Sequence, residues 1–192
     1  MSSTDPLAET SGTHEELSFT AATALLELAN SYMSPEIEEA SNTIISMSQK
    51  QANFHEEEAR RYANPTQPFV YTASDGTKST VAPIRKVSGS NNLIQVRDHH
   101  LFKDSRPPQF SMLNLVRDAV ARLAGGAGTR DDVCALVRGS QYLVDDIDEE
   151  ALTKVVRGAL DRLRSESDAC VRYDKDSRVW VYLHRGRGVE DF

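Results

Sequence analysis

The side chains best placed to do surface chemistry are a run of alternating charges. Glu150, Lys154, Arg157, Asp161 and Arg164 follow one another at intervals of four, three, four and three, so a helix would carry all five on one stripe. Cations in such a row can grip phosphate or carboxylate groups. The intervening acids weaken the first of these options. Glu150 with Lys154 and Arg157 with Asp161 are i,i+4 pairs, each stabilising a helix by only about 0.2–0.5 kcal/mol but partly neutralising the cations that a DNA reader would offer. The hairpin that follows is equally mixed: Arg172, Lys175 and Arg178 are offset by Asp168, Asp174 and Asp176. Protein recognition is therefore expected ahead of sequence-specific duplex reading, with Lys154, Arg157, Asp161, Arg164, Trp180 and Tyr182 as the candidate contact residues. Weak, non-specific DNA contact is allowed for.

Catalytic chemistry finds no comparable set. His99 and His100 fall in an expected linker and His184 at a strand end, without a His-x-x-x-His spacing or a cysteine cluster that would suggest a metal site. Cys134 lies in an amphipathic pattern and Cys170 at the start of a strand, where a thiol usually serves as a small core residue. Gly125, Gly126, Ala127 and Gly128 lack the Lys-Ser/Thr of a phosphate loop; they suit a helix stop followed by a flexible connection. No catalytic residue, metal, cofactor or small-molecule substrate is expected.

Composition narrows the class further. A hydrophobic fraction of 39% and a charged fraction of 27% allow a packed core, while a net charge of −7 argues against a surface devoted to nucleic acid. The mean hydropathy of −0.48 indicates solvated segments as well. Two cysteines without a Cys-x-x-Cys spacing suit a reducing compartment. The opening residues lack the basic and apolar regions of a secretory signal, and no apolar run approaches the ~18 residues of a membrane span. A soluble, intracellular protein without membrane contact is the expectation.

Residues 1–16 read as a disordered tail. An apolar, Ala-rich stretch at residues 17–33 suits a helix, and Ser34-Pro35 with Glu36, Glu38 and Glu39 suits the start of a second. The second should carry Ile37, Ala40, Ile44, Met47 and Phe54 on one stripe and end near Asn64, ahead of Pro65. Residues 17–64 are thus expected as a helical hairpin. Its stripe either packs within the protein, the simpler reading, or binds a partner.

Residues 65–108 read as a linker or strap containing a β-hairpin about Asp75-Gly76. Arg85, Lys86, Arg97 and Lys103 could touch phosphates there, although spaced loop cations are usually solvated.

Residues 109–186 have the element order of a winged helix, and residues 187–192 read as a polar tail. Ser111 can cap a helix burying Met112, Val116, Ala119, Val120 and Leu123, which Gly125-Gly126 can end. Thr129 and Asp132 form a capping-box pattern before Val133, Leu136 and Val137. Asp148 is the expected cap of a third helix with Leu152, Val155, Val156, Ala159, Leu160 and Leu163 buried. Gly158 in that helix is expected to be explained by close packing. In the last strand Val179, Val181 and Leu183 alternate with Trp180, Tyr182 and His184; one side can meet the helices while the other presents aromatic surface, and Trp180 is either an interface anchor or a core-edge residue. The class expected is mainly α with a small β-hairpin: a winged-helix-like domain preceded by a helical hairpin and a strand-containing linker.

These blocks, SMLNLVRDAVARLAGGAGTRDDVCALVRGSQYLVDD, VVRGALDRL, DACVRYD and VWVYLHR, resemble the winged-helix-like domain of the nuclear factor related to kappa-B-binding protein (NFRKB) family, particularly its plant-type members. DGTKSTVAPIRK and RDHHLFKDSRPP resemble the segment ahead of that domain, so the resemblance runs from about Tyr71 to the C-terminus. It implies a nuclear, non-enzymatic subunit of the INO-eighty chromatin-remodelling complex. The domain would bind protein subunits and influence transcription, and family members are also linked to a ubiquitin C-terminal hydrolase through a separate adaptor domain. The alternative from the residues alone is a winged-helix DNA-binding transcriptional regulator using Lys154, Arg157, Arg164 and the hairpin.

Overall fold

The computed structural model describes residues 35–84 and 99–192. The expected tail at 1–16, the helix at 17–33, and the loop cations Arg85, Lys86 and Arg97 lie outside them. The chain divides into two units, residues 1–50 and 51–192.

Helix α1, Pro35–Ala63, ends one residue before the Asn64-Pro65 stop. In its portion belonging to the first unit, Ile44, Ile45 and Met47 are 67%, 63% and 65% exposed, and Ala40 is exposed too. These residues of the expected apolar stripe are therefore left exposed by the described residues, and the Ile37 side chain lies outside them.

The second unit begins with the rest of α1, where the helix becomes amphipathic in a different way. Phe54, Glu58, Arg61 and Tyr62 turn inward, Tyr62 against Phe110 with ring centres 5.1 Å apart. Strands β1, Phe69–Thr72, and β2, Lys78–Val81, pair antiparallel in the register Phe69 with Val81 through Thr72 with Lys78. Gly76 makes their turn at φ 80°, a left-handed conformation that glycine adopts without penalty from a Cβ. Tyr71, Val81, Ile84, Leu101, Phe102 and Phe110 join the same core as the winged-helix residues. The strap at 99–110 thus supplies core side chains, and the His99 and His100 rings stack 4.6 Å apart beside it. Lys103, read as a phosphate candidate, pairs with Asp145 at 2.8 Å.

Three helices then form the winged unit: α2, Met112–Ala121; α3, Arg130–Arg138; and α4, Glu149–Arg164. Each starts where a side chain can satisfy amide groups left free by the first turn. Ser111 Oγ accepts from the Asn114 amide at 3.3 Å, and Asp148 Oδ1 from Glu150 and Ala151 at 2.9 and 3.4 Å. Thr129 and Asp132 form a reciprocal capping box, the Asp132 carboxylate accepting the Thr129 amide at 2.7 Å.

The sheet of this unit has the order β3-β5-β4, from β3, Ala127–Gly128, β4, Val171–Asp174, and β5, Val179–Tyr182. The first of these strands corrects the expected flexible connection. After α2 ends at Ala121, Gly125 and Gly126 adopt φ 64° and 73°, reversing the chain so that Ala127 and Gly128 pair with Val181 and Trp180. Two residues are too few for a strand pattern to show in the sequence.

The larger correction is the orientation of β5. Trp180 and Tyr182 are 8% and 3% exposed and His184 is buried, whereas Leu183 is 45% exposed and Val179 and Val181 are half-buried. Alternation separates the two faces but does not say which goes inward. The larger apolar area of the aromatics decides it. The Tyr182 hydroxyl also finds a partner inside, donating to the Thr80 carbonyl at 2.7 Å and joining the winged sheet to β2.

The expected polar tail at 187–192 is likewise held. Arg187 makes two 2.7 Å hydrogen bonds to Asp168, and its guanidinium lies 5.4 Å from the Phe192 ring centre. The architecture is mainly α, with small antiparallel sheets and a winged-helix core.

Candidate protein-contact face

Helix α4 owes its orientation to one apolar stripe. Leu152, Val156, Ala159, Leu160 and Leu163 are buried against the neighbouring helices, leaving the opposite side to solvent. Glu149 and Glu150 in the first turn and Arg162 and Arg164 in the last match the helix dipole, and the Ser165 hydroxyl closes the C-terminus on the Asp161 carbonyl at 2.8 Å.

The exposed side carries Glu150, Lys154, Arg157, Gly158, Asp161, Arg162 and Arg164. Neither i,i+4 pair expected from the spacing forms. Asp161 pairs instead with Arg164, three residues on, at 3.3 Å, and Glu149 pairs with Arg138 of α3. The side chains of Lys154, Arg157 and Arg162 make no hydrogen bond or ion pair among the described residues. An exposed pair gains little by freezing two long side chains, so spacing alone does not select the partner that an exposed acid takes.

Gly158 stands on this exposed side with no atom within 4 Å of where a Cβ would sit. Close internal packing, the expected reason for a glycine here, is absent among the described residues.

The hairpin beside α4 uses its acids internally. Asp174 accepts from Ser177 Oγ at 2.5 Å and from the Asp176 amide at 3.2 Å, which holds its carboxyl below the usual range. Asp168 is pulled down to about 2, chiefly by its hydrogen bonds from Arg187, and lies 3.2 Å from His184 Nε2. Arg172, Lys175 and Arg178 remain exposed, with Arg178 at φ 58°. Both groups of acids stay ionised, so the surface remains mixed in sign.

Of the six candidate contact residues, Lys154, Arg157, Asp161 and Arg164 thus share the exposed stripe. Trp180 and Tyr182 do not; they are core side chains beneath the wing, Trp180 against Tyr173 at 5.2 Å between ring centres. Burial pushes both Cys134 and Cys170 thiols up, as expected of core cysteines. Among the described residues, no three His, Cys, Asp or Glu side chains gather to hold a metal, and no helix is long and apolar enough to cross a membrane.

A second charged set is buried, where helical spacing gives little sign of it. Arg61 on α1 lies 3.4 Å from Asp118 on α2 and donates to the Gln67 and Ala82 carbonyls at 3.2 and 2.6 Å. The Tyr71 hydroxyl donates to the same Asp118 oxygen at 3.1 Å. One helical turn back, Glu58 accepts from Ser140 Oγ at 2.6 Å and the Gln141 amide at 3.1 Å. Arg122 caps the Leu136 carbonyl at 2.9 Å and lies 3.5 Å over the Phe54 ring. Burial raises the carboxyls of both Glu58 and Asp118, despite their hydrogen bonds and nearby arginines. This set fastens α1 and the β1–β2 hairpin to the winged helices. Its only sequence trace was Asp118 on the apolar side of α2.

The fold and its exposed third helix define a winged-helix domain extended at its N-terminal side by a helix, a hairpin and a strap. The family model of the NFRKB second winged helix domain matches residues 50–190, and the chain belongs to that family. Over 140 residues it is 42% identical to the nuclear factor related to kappa-B-binding protein of Xenopus tropicalis, an alignment covering 72% of this chain and 11% of that protein. No solved structure matches the chain. The matched region begins some twenty residues before Tyr71, taking in the part of α1 that carries Phe54, Glu58 and Arg61.

Proposed function

We propose that this chain is a non-enzymatic, nuclear scaffold subunit of a chromatin-remodelling assembly of the INO-eighty type, contacting protein partners through the exposed side of α4. Family membership supports the chromatin setting. The observation that carries the mode of action is the mixed stripe of Glu150, Lys154, Arg157, Asp161 and Arg164, held outward by a fully buried apolar face. Discrete charges of both signs suit a protein surface, whose own charges can be matched one by one; a duplex presents phosphates throughout.

A DNA-binding reading has one observation in its favour: Lys154, Arg157 and Arg162 are without counterions among the described residues. Against it, Glu150 and Asp161 would face phosphate. Affinity purification of the tagged full chain from nuclei, with mass spectrometry, tests the proposal. Remodeller subunits should be recovered with the wild type. Their absence, together with tight sequence-selective duplex binding in a low-salt mobility shift, would replace this reading with the DNA one.

A further inference from the structure

Three glycines in this domain sit under different constraints. Gly126 adopts φ 73°, which strains any residue with a Cβ, and at Gly128 an added Cβ would come within 2.7 Å of Leu123, so backbone geometry accounts for the first and internal packing for the second. Gly158 meets nothing within 4 Å, in the middle of a 16-residue helix where alanine would be more favourable by ~1 kcal/mol. The fold itself gives no reason for a glycine there.

Its surroundings supply one. Lys154 lies one turn before Gly158 on the same exposed side, Arg162 one turn after, and Arg157 beside it. All three are uncommitted among the described residues, whereas Asp161, the nearest acid, is occupied by Arg164. The free charge around the gap is therefore positive, in a chain whose net charge is −7.

We propose that Gly158 is the crossing point for an acidic helix of a partner protein, whose backbone approaches α4 over the missing side chain while its Glu or Asp residues meet Lys154, Arg157 and Arg162. This rests on the reading that α4 contacts protein. Helix axes pack 8–10 Å apart depending on the side chains at the contact, and a glycine permits the near end of that range. Flanking charges then set orientation, as they do beside a coiled-coil seam. Phosphate contact would use the cations but gain nothing from the gap.

The probe is a fluorescein-labelled helical peptide with Glu at four-residue spacing and Ala on the crossing face, titrated against the full chain by anisotropy. Gly158→Ala should bind it at least tenfold more weakly and Gly158→Leu not measurably, while Gly158→Ala melts at a higher temperature than wild type, which excludes unfolding as the cause. Lys154→Glu/Arg157→Glu should also lose the peptide. Wild-type indifference to the peptide, a preference for duplex DNA of equal charge, or equal binding by Gly158→Ala would overturn the inference. The reading beneath it is judged separately. If Gly158→Ala still recovers the remodeller subunits that Lys154→Glu/Arg157→Glu loses from nuclei, the α4 contact stands and only the helix crossing fails.

Discussion

Arg61 and Asp118 lie inside the domain, while the charged Lys154 and Arg157 stand in solvent on α4. Inside, the charges are held by partners on different elements: Arg61 alone reaches α2, the Gln67 turn and the end of β2. Outside, the charges are left to choose, and the pairs that spacing would favour do not form. A charge taken from water must be matched in place or it destabilises the fold, whereas an exposed one contributes almost nothing to stability and is free for another molecule. The buried set therefore specifies how the N-terminal extension joins the winged helices. The exposed set is available for contact.

The difference should appear first in stability. Arg61→Met leaves Asp118 buried with Tyr71 as its remaining hydrogen-bond donor and is expected to lower unfolding free energy by about 3–5 kcal/mol in urea denaturation. Replacing both, as Arg61→Met/Asp118→Leu, should recover part of that loss; a double variant as unstable as the sum of its singles would mean the two residues are not coupled.

Glu58 gives the next largest effect. Glu58→Ala leaves the Ser140 hydroxyl and Gln141 amide without their acceptor, at a cost of about 1–3 kcal/mol. Because burial raises the folded-state pKa of Glu58, the folded state holds its proton more tightly than the unfolded one. The stability this lends is present at acid pH and is lost as pH rises through the folded pKa. Wild type should accordingly lose ground to Glu58→Gln as urea midpoints are followed from about pH 4 to about pH 8; an opposite slope would show that the carboxylate is better accommodated folded than unfolded.

Thr129→Ala, which removes the capping box of α3, should cost about 0.5–2 kcal/mol by the same measurement. Smaller still is the clamp on the C-terminal residues. With its pKa held at about 2 by Arg187, Asp168 lends stability above the ordinary carboxylate range that fades as pH falls towards 2. Asp168→Asn should speed amide exchange around Arg187 at neutral pH, with little change in the global midpoint. Unaltered exchange would mean that the pairing does not hold this segment.

The three helix caps were legible because a cap is local: Ser111, Thr129 and Asp148 each act within three residues of themselves. The buried stripe of α4 was legible for a related reason, since one helical period places all its members. The face of β5 was not, because alternation is symmetric and the choice between valines and aromatics is made by the space beneath the sheet. Nor was the role of Arg61, whose partners lie 57 and 21 residues away at Asp118 and Ala82. Among the candidate contact residues the division is the same. Lys154, Arg157, Asp161 and Arg164 could be placed from their own helix, but Trp180 and Tyr182 depended on what covers the strand.

The most direct test of the exposed set is Lys154→Glu/Arg157→Glu in the tagged full chain, compared with wild type for both melting temperature and recovery of remodeller subunits from nuclei. The account predicts stability within about 0.5 kcal/mol of wild type and loss of those subunits. Unchanged recovery by the stable variant would contradict it.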